Sequence, residues 1–259
     1  MNLRRSTILR EMGLTPLWRL RTSTGAVDTD TSVGALGATP VHLPAEKPDA
    51  PASALHTTPH HQPVDFSCIA TMDWPQLEEA IHACRACTLF EARTQAVPGV
   101  GDRQARWMFV GEGPGVEEDR RGEPFVGQAG RLLDHMLAAL GLKRGEDVYI
   151  ANAVKCRPPH NRTPQAAEIA ACAAYLDRQI ALVRPRLLIA LGRPAAQALL
   201  GREISIAAAR GKRFERDGAP LIVTYHPAYL LRNPQDKGKA WEDLCLARRL
   251  VTEAAQGEA

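Results

Sequence analysis

What this chain lacks narrows it first. No apolar run in its 259 residues reaches the roughly 20 needed to cross a bilayer, and the N-terminus has no unbroken apolar stretch followed by a small-residue cleavage site. A cytoplasmic protein with no membrane partner is therefore expected. An excess of charge of one sign is missing too: 32 Lys and Arg against 29 Asp and Glu leave a net +3, which forces no conclusion about partners. No Gly-Lys-Ser or Gly-Lys-Thr phosphate loop occurs. Cysteine is sparse, six in all, and in a reducing compartment these favour metal ligation over disulfides.

Between about Gly25 and Asp65 periodic apolar positions are absent, and Pro, Ala, Thr, Ser and His dominate. Such a stretch cannot bury enough surface to offset its ordering entropy and reads as a disordered linker. The chain accordingly divides into a short apolar segment (1–22), a linker (23–70) and one folded domain (71–254). Within the first, Leu9, Met12, Leu14, Leu17, Trp18 and Leu20 form an apolar cluster flanked by arginines. It reads either as a docking motif for a protein partner or as a segment that packs back on the body.

The domain alternates strand-like and helix-like patterns. Asp73 before Trp74-Pro75 is a helix N-cap, with Leu77, Ile81 and Cys84 at helical spacing. Strands are expected at Trp107–Gly111, Val148–Val154, Arg186–Leu191 and Leu221–Tyr225. Helices are expected at Gln128–Leu140, from Thr163-Pro164 to about Val183, at Pro194–Leu200 and from about Gln235. This alternation predicts a three-layer α/β/α domain on a four-stranded, largely parallel sheet, with its site beyond the carboxyl ends of the strands.

Cys84-x2-Cys87, Cys156 and Cys172 can supply four thiolates, either to a tetrahedral zinc or to a 4Fe-4S cluster, and spacing alone does not choose. Buried cysteines acting as small hydrophobes are the plainer alternative, and the better one for Cys68 and Cys245. Three further segments fall at strand ends: Gly111-Glu-Gly-Pro-Gly115, Asn152 to Pro159, and His226-Pro227. The glycine turn does not suit pyrophosphate, because Glu117, Glu118 and Asp119 follow it at once. A backbone turn that approaches a flat ligand fits better, with Phe125 supplying an aromatic face. Basic residues, mostly Arg, recur from Arg120 to Arg232 and would suit phosphate contacts, or simply form a solvated surface.

Together, Gly111-Glu-Gly-Pro-Gly-Val-Glu-Glu-Asp119, Gly122-Glu-Pro-Phe-Val-Gly-Gln-Ala-Gly-Arg-Leu-Leu-Asp134, Asn152-Ala-Val-Lys-Cys-Arg-Pro-Pro-His-Asn-Arg-Thr-Pro164 and His226-Pro-Ala-Tyr-Leu-Leu-Arg232 resemble the iron-sulfur, family 4 uracil-DNA glycosylases. The resemblance spans roughly residues 70 to 251. It implies a monomeric base-excision repair enzyme that flips uracil out of single- or double-stranded DNA and hydrolyses its N-glycosidic bond. It also implies a 4Fe-4S cluster on Cys84, Cys87, Cys156 and Cys172, with a mainly structural role.

By this resemblance Asn152 reads uracil, accepting from N3–H and donating to O4, while Phe125 stacks on the flipped ring and Gly113, Pro114, Gly115 and Asn161 shape its pocket. His226 donates to O2 as charge collects there, helped by backbone N–H groups of the Glu112-Gly113 turn. Better-known uracil-DNA glycosylases carry Gly-Gln-Asp-Pro-Tyr in the first motif, whereas Gly113 and Gly115 stand here at the Asp and Tyr places. Water must then be oriented from elsewhere, and Glu112 and Glu118 are the candidates. Leu230, Leu231 and Arg232 fall where the family's loop enters the duplex. Two rival readings stay open: a non-catalytic nucleic-acid-binding module with a structural zinc, and a relative that traps its DNA covalently. The trapping branch carries a basic, His-containing insert after the second strand motif, which is missing between Cys156 and Asn161.

Overall fold

The computed structural model describes residues 66–257. The apolar segment at 8–20 and the expected linker up to residue 65 lie outside the described residues. The first described element is helix α1 (Phe66–Ile69), and Ile69 is buried, so residues 66–70 of the stretch expected as linker pack on the domain. Helix α2 (Trp74–Ala83) starts as its sequence dictates: Asp73 accepts from the Gln76 N–H, the Gln76 side chain accepts from the Asp73 N–H, and Leu77 and Ile81 face inward. A single turn, α3 (Leu89–Ala92), follows the Cys84-x2-Cys87 pair.

Six strands build one mixed sheet: β1 (Val100–Gly101), β2 (Trp107–Gly111), β3 (Val148–Asn152), β4 (Leu187–Leu191), β5 (Arg213–Arg216) and β6 (Ala219–Thr224), in the order β1-β3-β2-β4-β6-β5. The four strands expected from sequence are the central ones and run parallel, but the expectation of a four-stranded sheet is corrected, because antiparallel β1 and β5 border it. Both edges were illegible for physical reasons. Strand β1 is two residues long, and β5 reads Arg-Phe-Glu-Arg with no buried residue, a charged edge that resists pairing with another chain.

Alternate residues of the central strands point to opposite faces. Trp107 and Phe109 pack with Leu133 and Met136 of α5 (Gln128–Leu140) and with Ala240 and Leu244 of α10 (Lys237–Gly257). Met108 and Val110 pack with Leu176 and Ile180 of α6 (Ala166–Val183) and with Ala195 and Leu199 of α7 (Arg193–Leu200). Burial on both faces explains why these strands read as unbroken apolar runs. Short helices α4 (Val116–Arg121), α8 (Ile206–Ala209) and α9 (Pro227–Arg232) follow strands or turns that the sequence pattern left as loops. A third apolar cluster joins α1, α2 and α3 to α6 and holds Cys156 and Cys172. Among the described residues no helix is long and apolar enough to cross a membrane.

Candidate active site

Parallel register places the key segments side by side. Gly111 ends β2 opposite Asn152 at the end of β3, and Leu191 ends β4 opposite Thr224 of β6, two residues before His226. Beyond these ends lies a cleft of about 670 Å³ lined by Glu112, Gly113, Pro114, Gly115, Glu118, Phe125, Asn152, Asn161, His226 and Arg232, all of them expected site residues. Arg193, Tyr225 and Tyr229 line it too and were not singled out in the sequence.

Asn152 is 2% exposed, and its Oδ1 is the one buried side-chain oxygen or nitrogen among the described residues that lacks a hydrogen-bond partner. Leaving such an atom unpaired costs about 1–3 kcal/mol, so a fold retains it where a ligand completes it. A Cβ on Gly111 would sit 2.4 Å from Asn152 Oδ1 and 2.5 Å from Phe125 Cζ. The glycine is thus required because the amide and the ring converge over it.

Phe125 adopts a left-handed backbone, φ 56°, which a bulky residue rarely does unless its surroundings impose it. Three neighbours impose it. Arg144 donates to the carbonyls of Pro124 and Phe125 at 2.9 Å each while its Nε donates to Asp134 at 2.9 Å. Glu118 accepts from the N–H groups of Val126 and Gly127 at 3.0 and 3.1 Å, and its other oxygen accepts from Gly115 N–H at 3.1 Å. Gly130 lets α5 approach, since a Cβ there would meet the Phe125 carbonyl at 1.7 Å. Both oxygens of Glu118 therefore hold backbone, which leaves Glu112 as the candidate carboxylate facing the cleft. Nothing in the local sequence around Arg144 pointed to its part in this clamp, because it acts on a turn some 20 residues earlier.

His226 is the N-cap of α9, and its Nδ1 accepts from the Ala228 N–H at 3.1 Å. A ring that accepts at Nδ1 carries its proton at Nε2 when neutral. Burial, with Arg232 adding repulsion, pushes its pKa down to about 4, so the ring is a neutral donor near pH 7. Its centroid lies 5.4 Å from that of Phe125. Gly192, φ 91°, makes room for it, as a Cβ there would press on His226 Cβ at 3.1 Å. Burial raises the Glu112 pKa above the ordinary 4.5, opposed by Thr163, Arg193 and Arg232.

The remaining expectations divide. Of the two leucines expected at the duplex, Leu230 is fully buried against the sheet, whereas Leu231 is 43% exposed. Asn161 lines the cleft, but its Oδ1 accepts from Arg157 Nε at 2.7 Å, and its φ of 54° places it in a tight turn. Several arginines expected for phosphate are occupied: Arg162 grips Glu168 through both nitrogens, and Arg210 pairs with buried Asp243. The acidic first turn of α4 suits that helix's own N-terminus and repels phosphate, as its sequence indicated.

Cys84, Cys87, Cys156 and Cys172 line a separate small apolar cavity with Ile81, Leu89, Val154 and Tyr175. Among the described residues no three His, Cys, Asp or Glu side chains gather as ligands of a single ion. Cys156 Sγ accepts from Arg93 at 2.8 Å and Cys172 Sγ from the Lys155 N–H at 3.3 Å. Burial pushes these two thiols up to about 11 and about 12, so an apolar pocket of this kind holds thiolates only around compensating positive charge. Cys68, expected as a buried hydrophobe, is exposed, and Cys245 is half-buried.

An aromatic ring and a buried, unpaired amide oxygen thus meet in a cleft at the strand ends of an α/β/α sheet. The description of the uracil DNA glycosylase superfamily matches residues 98–245 of the chain. The chain is 45% identical over 183 residues to a type-4 uracil-DNA glycosylase of Pyrobaculum aerophilum, covering 68% of this chain and 93% of that protein. It is 48% identical over 159 residues to a type-4 uracil-DNA glycosylase of Thermotoga maritima, covering 61% and 82%. A type-5 uracil-DNA glycosylase of Thermus thermophilus is 32% identical over 191 residues, covering 60% and 87%. The chain belongs to the uracil DNA glycosylase superfamily and, within it, to the type-4 group.

Proposed function

We propose that this protein hydrolyses the N-glycosidic bond of uracil in single- and double-stranded DNA and leaves an abasic site. The observation that carries the reading is the buried, unpartnered Oδ1 of Asn152 beside the Phe125 ring. A uracil slid onto that ring presents N3–H to Oδ1 and O4 to the amide nitrogen. Cytosine presents the reverse polarity and leaves a buried pair mismatched, at about 1–3 kcal/mol. The base lies inside a duplex, so it must be flipped out, and exposed Leu231 with Arg232 beside it is the candidate to fill the vacated stack.

As the bond to the sugar breaks, charge builds on O2 of the base. His226, neutral and protonated at Nε2, donates there without first losing a proton, a contribution of about 100- to 1,000-fold for a well-placed donor. Glu112 orients the water that captures the cation-like sugar. The four cysteines fit a 4Fe-4S cluster: they ring one apolar cavity and two of their sulfurs already accept N–H bonds. That cluster would supply iron–thiolate cross-links between the segment after α2, the end of β3 and α6, and take no part in the bond cleavage. Purified full-length protein incubated with a labelled uracil-containing oligonucleotide, then treated with alkali, should yield a cleaved strand; an uncut strand, or a band shifted by trapped protein on a denaturing gel, would refute the reading.

A further inference from the structure

Lys155 is a charged side chain that neither the base pocket nor the packing of the layers accounts for. It is 1% exposed and lies between Asn152 and the ligand candidate Cys156. Its Nζ donates to the Asn152 carbonyl at 2.8 Å and to Gln179 Oε1 at 2.6 Å. Gln179, itself fully buried, is fixed in turn by donating to the Pro98 carbonyl at 2.8 Å and the Tyr149 hydroxyl at 3.3 Å. The backbone N–H of the same lysine donates to Cys172 Sγ at 3.3 Å. One residue therefore touches the base reader with its side chain and the four-cysteine cavity with its backbone.

Both side-chain partners are neutral, and a buried ammonium is strongly unfavourable unless opposite charge lies close. Asp177 acts on it from a distance but is bonded to Arg216 at 2.8 Å. Lys155 lines the same small cavity as Cys84, Cys87, Cys156 and Cys172, so thiolates held there would bring opposite charge close to it. Four thiolates holding a 4Fe-4S cluster would carry net negative charge, which an ammonium at this place would offset.

We propose that Lys155 is a positioning residue for uracil recognition, which neutralises the four-cysteine site and with the same ammonium holds the Asn152 carbonyl so that the amide faces the base. The inference rests on the reading of Asn152 as the uracil reader and of the cysteines as cluster ligands. Aim at the base is thereby tied to the state of the cysteine site, 17 residues of chain linking Lys155 to Cys172.

Full-length holoenzyme with Lys155→Met, which keeps length and removes charge, separates this from plain packing. Two quantities are read: the reduction midpoint of the cluster, and the binding preference for a single-stranded oligonucleotide carrying non-hydrolysable 2′-fluoro-2′-deoxyuridine over one carrying thymidine. The midpoint should become more negative, because a neighbouring cation no longer favours the added electron. The uracil preference should fall about tenfold, the worth of one well-made hydrogen bond, with affinity for the thymidine strand unchanged. An unchanged midpoint or a full uracil preference overturns the inference. Should Lys155→Met not fold, Gln179→Leu keeps the charge but loosens the lysine, and must lower the preference while leaving the midpoint in place; an unaffected preference is again fatal. Asn152→Ala run alongside distinguishes the two levels, since uracil preference surviving there sinks the reading of the reader itself.

Discussion

Asn152 shows a residue whose function opposes stability. Its unpaired oxygen lies at the cleft floor, so Asn152→Ala should abolish at least nine-tenths of excision while thermal stability holds or rises by up to about 1 kcal/mol. Parallel activity assays and melting curves check both halves. His226→Ala should behave differently, because it also removes the cap on the Ala228 N–H; excision falls about 100-fold and stability by about 1 kcal/mol. The pH dependence follows from the two titrating groups in the cleft. On the proposed mechanism Glu112 acts ionised, and burial raises its pKa above 4.5, so kcat/KM should fall as pH drops through that raised value. On the same mechanism His226 acts neutral, and with its pKa near 4 it sets no limb of the profile near neutral pH. The linkage has a definite sign: the unfolded ring binds its proton near 6.5, so the neutral buried ring favours the fold above that pH, and this contribution is lost as pH falls towards 4. Glu112→Gln should remove the upper acid limb in a measured pH–rate profile and leave the lower one.

At the scale of elements, the turn between α4 and α5 is where backbone strain is stored. Phe125 stays at φ 56° because Arg144 holds its carbonyl side and Glu118 its N–H side. Glu118→Gln replaces an acceptor oxygen with an amide nitrogen facing backbone donors, and should lower the melting temperature and raise KM without moving the acid limb of the pH profile. A lost acid limb in that variant would return Glu118 to the role of water carrier. The helix patterns were legible: capping Asp73, the apolar spacing of α5 and the closing glycines Gly141 and Gly201 all hold in the structure. Helices α4 and α9 escaped notice because each has only six residues, too few for a periodic stripe, and the acidic and proline-led starts read as turns.

Across the whole molecule, the third apolar cluster binds helices α1, α2 and α3 to α6, with Cys156 and Cys172 in it and Cys84 and Cys87 packed against it. On the proposed ligation, replacing Cys172 by Ser should first loosen that packing: bound iron and the melting transition are lost together, and activity falls because Asn152 sits four residues before Cys156. Iron analysis with near-ultraviolet circular dichroism would show it. Retained tertiary signal with iron gone would mean that apolar packing alone carries this region.

The sequence by itself determined the layered α/β pattern, the four central strands, the cysteine quartet and about half of the residues that line the cleft, because each rests on local periodicity, spacing or a short motif. It could not decide which leucine is exposed, since Leu230 and Leu231 differ only in which side of a short helix faces the sheet. Nor could it show that Glu118 holds backbone, enlist Arg144 and Gly192, or bring Lys155 between Asn152 and the cysteines. Those depend on contacts between segments far apart in the chain, whose partners exist only once the sheet has set their register.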